Sequence, residues 1–74
     1  MLSFQVTDSG NAVTINCDAV GVSVLLAELA RVMAARASHT HLRTPPLGKQ
    51  LSETTPFGAK AIKEVIINYL ESAE

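Results

Sequence analysis

The chain holds one cysteine, Cys17, among its 74 residues, so no intramolecular disulfide can staple it. Hydrophobic burial must carry the fold, yet a chain this short buries only ~60% of the surface its unfolded form exposes. A lone cysteine also fits a reducing compartment. Tryptophan is absent, and two phenylalanines and one tyrosine are the only aromatics, so the usual large interface anchors are scarce. Neither charge dominates: six Lys and Arg stand against seven Asp and Glu, for a net charge of −1. Arg31, Arg36, Arg43, Lys49, Lys60 and Lys63 are scattered singly along the chain and form no run. The basic stripe that phosphate binding needs is therefore missing, and so is an acidic face that would mimic nucleic acid. The longest apolar runs, such as Val24-Leu25-Leu26-Ala27, fall far short of the ~20 residues of a membrane span. No positively charged segment precedes an apolar stretch at the N-terminus, so no secretory leader is expected. These absences predict a single cytoplasmic domain over residues 1–74 that partners neither nucleic acid nor membrane.

What remains is 47% apolar and reads as folded. Leu2, Phe4 and Val6 alternate with Ser3, Gln5 and Thr7, the period-2 pattern of a half-buried strand. Asp8-Ser9-Gly10-Asn11 has turn chemistry, and Val13, Ile15 and Cys17 then alternate with Thr14 and Asn16. The two runs predict a β-hairpin. The parity of Cys17 with Val13 and Ile15 predicts a buried, inert thiol, which argues against a Cys17–His catalytic dyad. Next, Val22, Leu25, Leu26, Leu29, Val32, Met33 and Arg36 follow helical spacing, and alanines at 27, 30, 34, 35 and 37 add propensity. A helix from about Val20 to about Ala37 is expected, its apolar face on the hairpin. His39 to Thr44 is a short alternating segment that stops at Pro45-Pro46. Leu47 to Gly58 reads as a loop, long enough to suggest a functional role. Over Ala59 to Tyr69, Ile62, Val65, Ile66 and Tyr69 fit a helix stripe, whereas Lys63, Val65, Ile67 and Tyr69 fit a strand face. The β-branched density of Val65, Ile66 and Ile67 favours strand, but periodicity alone leaves both open.

The order of these signals resembles a known group. A hairpin, "NCDAVG", an amphipathic helix, "HTHLRTP", "LGKQLSE" and "AIKEVIINYL" together look like the bacterial immunity-protein family numbered thirty-two. The most specific piece is His-x-His-Leu-x-Thr-Pro followed within ten residues by Leu-Ser-Glu. The likeness spans nearly the whole chain and departs at Leu47-Gly48, where the family carries Trp-Gly. It implies a small protein encoded beside a polymorphic toxin and binding that toxin inside the producing cell. It also implies a strand for the last segment. The expected fold is α+β, in the order β-β-α-β-β, with one helix packed on one face of a single, mostly antiparallel sheet.

Parity then sorts the faces. If Leu42, Val65, Ile67 and Tyr69 face the helix, the opposite face carries Gln5, Thr14, Asn16, His39, His41, Arg43, Glu64 and Asn68, interrupted by Ile66 and Leu70. Such a face suits recognition or a homodimer contact. His39, His41, Arg43 and Glu53 are the candidate partner-binding residues. Arg43 has the planar fork for a carboxylate, and Glu53 could pair with it or reach the toxin. His39 and His41 share a face and could hold a metal ion, but a structural zinc site wants four ligands and a catalytic one three. No spacing brings Cys17 and Asp18 to them, and no cofactor is expected. The leading expectation is a non-enzymatic protein that neutralises a cognate toxin by stoichiometric binding. The alternatives are a small homodimeric or complex-subunit domain and a metal-binding domain using His39 and His41.

Overall fold

A computed structural model describes residues 1–35, 39–56 and 60–70. Its elements are β1 (Leu2–Val6), β2 (Val13–Cys17), α1 (Ala19–Ala35), β3 (His39–Arg43) and β4 (Glu64–Asn68). The α+β class and the β-β-α-β-β order are as expected, and the last segment is a strand. The expected helix end at Ala37 and the boundary at Gly58 and Ala59 lie outside the described residues.

β1 and β2 pair antiparallel, with Leu2 opposite Cys17 and Val6 opposite Val13. Thr7 N–H donates to the Ala12 carbonyl at 2.9 Å to close the turn, and Gly10 takes φ of +76°, a conformation that side chains disfavour. α1 starts directly after β2. The Asp18 carboxylate accepts from Gly21 N–H at 2.9 Å, satisfying one of the free donors of the first turn. The amino group of Met1 bonds the same Asp18 oxygen. That bond first, and the Gly21 bond second, hold the Asp18 carboxyl below its ordinary value.

The single expected sheet is instead two sheets of two strands, β1-β2 and β3-β4. The reason lies at the free edge of β1. Ser52 N–H donates to the Leu2 carbonyl at 2.7 Å, and Ile62 N–H donates to the Phe4 carbonyl at 2.8 Å. Residues of the long connection thus close that edge, and neither β3 nor β4 can pair there. The connection is anchored by Leu51, which is buried with Leu2, Phe4 and Leu42. Val24, Leu25, Ile62, Val65 and Ile67 pack around these four.

Since the core is centred on β1, β2 is left as an open edge strand. Val13, Ile15 and Cys17 are exposed, contrary to their parity, and so is Val6 at the far end of β1. On the hairpin's other face the expected openness also fails at Asn16, which is buried beside the fully buried Ser3. Its Nδ2 donates to Ser3 Oγ at 3.3 Å and to Gln5 Oε1 at 2.9 Å, so its burial leaves no unmet donor. In α1 the inward stripe is Gly21, Val24, Leu25, Glu28 and Val32, whereas Val22, Leu26, Leu29 and Met33 are exposed. The apolar stripe expected to be core is therefore only partly covered.

Candidate functional site

β3 ends at the Pro45-Pro46 segment because proline can neither donate to a ladder nor let its predecessor turn helical. Along β3 the side chains alternate as expected. Thr40 and Leu42 are buried, while His39, His41 and Arg43 point outward opposite Asn68, Ile66 and Glu64 of β4. The register thus places a carboxylate beside two of the candidate residues. Arg43 Nε donates to Glu64 Oε2 at 2.6 Å, and His41 Nδ1 lies 2.8 Å from the same oxygen. Arg43 Nη2 is 3.3 Å from His41 Nδ1, and the His39 and His41 rings meet edge to face with centroids 4.9 Å apart. The hydrogen bond from Arg43, and then that from His41, lower the Glu64 carboxyl from its ordinary value.

The backbone after β3 turns back on itself and holds Arg43 in place. Leu51 N–H donates to the Arg43 carbonyl at 3.1 Å, and Thr44 N–H donates to the Lys63 carbonyl at 3.0 Å. Gly48 N–H donates to the Thr44 carbonyl at 3.1 Å. A Cβ at Gly48 would stand 2.8 Å from Arg43 Cβ and 2.7 Å from Gln50 Oε1, so this close turn requires glycine. Between the turn and β4 lies an open cleft of about 690 Å³. Thr44, Pro45, Pro46 and Leu47 form its weakly polar side. Arg43 and Lys63 bring cations to it, and Glu53 and Glu64 bring anions. The volume falls in the range of ligand sites, but the open form and mixed charge suit an extended polar surface or a peptide segment.

Of the four candidate residues, Arg43 and Glu53 line this cleft. His41 reaches it through the shared Glu64 carboxylate, and His39 sits one step further along β3. Arg43 pairs with Glu64, and the considered Arg43–Glu53 pair is not what the geometry forms. Glu64 and Lys63 were missed as site residues. The signal available was parity with strand register, since an antiparallel β3-β4 pair sets the last residue of one strand against the first of the other. Among the described residues, no three His, Cys, Asp or Glu side chains converge as metal ligands. Also among them, no helix is long and apolar enough to cross a membrane. Comparison of the chain with known protein families, curated proteins and solved structures finds no match.

Proposed function

We propose that this chain is a binding protein that neutralises a cognate bacterial toxin stoichiometrically, inside the cell that makes it, and does no catalysis of its own. The observation that supports this reading is the joining of the His-x-His-Leu-x-Thr-Pro segment to one cleft. Arg43, Glu53, Glu64 and Lys63 line it beside Leu47, which is mostly exposed. A guanidinium already oriented by one carboxylate keeps donors for a second acceptor, and a preorganised fork loses less entropy on binding. Charges of both signs around a small apolar rim favour one complementary protein surface over many. The segment that builds the cleft is also the most specific part of the resemblance to the immunity-protein family numbered thirty-two.

The test is co-expression with the product of the adjacent gene, scored by growth and by co-purification. On this proposal the neighbour alone arrests growth, and the chain restores it while eluting with the neighbour in a fixed ratio. A harmless neighbour with nothing co-eluting would refute it.

A further inference from the structure

α1 carries two apolar stripes, and only one is used. Gly21, Val24, Leu25, Glu28 and Val32 turn inward. The neighbouring stripe, Val22, Leu26, Leu29 and Met33, is exposed by 42%, 59%, 43% and 65%. Its spacing of four, three and four residues is the alternation of a heptad seam, in a place where a solvated helix would carry polar side chains. Ser23, Ala30 and Ala34 border the seam on the side away from the inward stripe, and these small residues allow close approach. The hairpin carries further exposed apolar side chains beside the helix. Val6, Val13 and Ile15 are about half exposed. Their register puts them on the face of Leu2 and Phe4, against which Val24 and Leu25 of α1 pack.

We propose that this face is a homodimer interface in which two copies pair isologously, seam against seam, with the hairpin residues at its margin. A second copy is the occupant that the chemistry fits best. An uncharged seam meets its own image without burying an unpaired charge, whereas it offers nothing to steer or pair a charged partner. The size also fits. A standard interface takes about 800 Å² from each partner, roughly one-seventh of the 5329 Å² exposed here, and a helix about 25 Å long flanked by a hairpin spans it. The protomer needs such burial. Among the described residues its buried apolar side chains are Leu2, Phe4, Val32, Leu42 and Leu51, a thin core for a domain without disulfides. None of the seam residues lines the cleft beside Arg43, so dimerisation and toxin binding are separate properties and either can fail alone.

Sedimentation equilibrium at micromolar loading tests this. The unmodified chain is expected to be a dimer. Leu26→Glu and Leu29→Glu, both exposed in the protomer, should each weaken it at least about tenfold with helical circular dichroism retained. Ile66→Glu, on the outer face of β3-β4, should leave the dimer intact. Should the charged variants fail to fold, Leu26→Cys in a Cys17→Ser background supplies a second measurement. A short bis-maleimide should link its two copies, and should link Ile66→Cys poorly. A monomeric unmodified chain would overturn the proposal. So would a dimer that Ile66→Glu breaks and the seam variants do not, or cross-linking through Ile66→Cys in preference to Leu26→Cys.

Discussion

Glu64 organises the outer face of β3. It takes a hydrogen bond from Arg43 and a second contact from His41 on one oxygen, and both favour its ionised form. Its folded value lies below its ordinary value of 4.5. The cluster's contribution to stability is therefore fully present above the ordinary value and is lost as pH falls through the lowered one. An NMR titration of the Glu64 side-chain carboxyl should give a midpoint below 4.5, moving up toward it in Arg43→Ala. A midpoint at 4.5 in both proteins would contradict the geometry. Parity alone had put His39, His41, Arg43 and Glu64 on one face, and β3 and β4 keep that pattern. Which carboxylate meets Arg43 was not legible, because register depends on a connection whose course no periodicity records.

At the level of elements, α1 is where local and tertiary preferences diverge most. Gly21 lies in its first turns, and glycine inside a helix ordinarily costs about 1 kcal/mol relative to alanine. Here a Cβ would stand 1.8 Å from the Met1 carbonyl oxygen and 3.0 Å from Cys17 Cβ, which backbone atoms cannot evade cheaply. Gly21→Ala should therefore destabilise the protein, by about 1–3 kcal/mol as an overpacked site. Urea unfolding reads this as a lowered midpoint, and a raised midpoint would show that the helix does not sit so close to the start of β1. The helix itself was legible from spacing and alanine content. How much of its broad apolar stripe is covered was not, since Val22 and Leu25 obey the same period and only the packing partner separates them. The strand at Glu64–Asn68 was ambiguous for the related reason that β-branched residues also fit a helical stripe.

For the whole molecule, the long connection between β3 and β4 decides the architecture. Leu51 is buried in the core, while Ser52 and Ile62 close the edge of β1, and the expected single sheet becomes two. A leucine in a stretch with no repeat carries no sign of being an anchor, so this outcome lay beyond sequence patterning. The class, the element order and the polar outer face of β3 did not. The molecule that results has two unlike surfaces: a mixed-charge cleft beside Arg43 and an uncharged seam along α1. The first is proposed to bind the toxin and the second to bind a second copy.

The assignment of the cleft is tested most directly by Arg43→Ala in the growth assay, with thermal unfolding of the purified variant as its companion. Arg43 and Glu64 are both part exposed, and loss of such an exposed ion pair usually costs less than about 1 kcal/mol. The variant should remain folded, yet fail to protect cells from the neighbouring gene's product or bind it at least about fivefold more weakly, as loss of a desolvated anchor entails. Full protection and unchanged affinity in a folded Arg43→Ala protein would contradict the account and move the binding surface elsewhere.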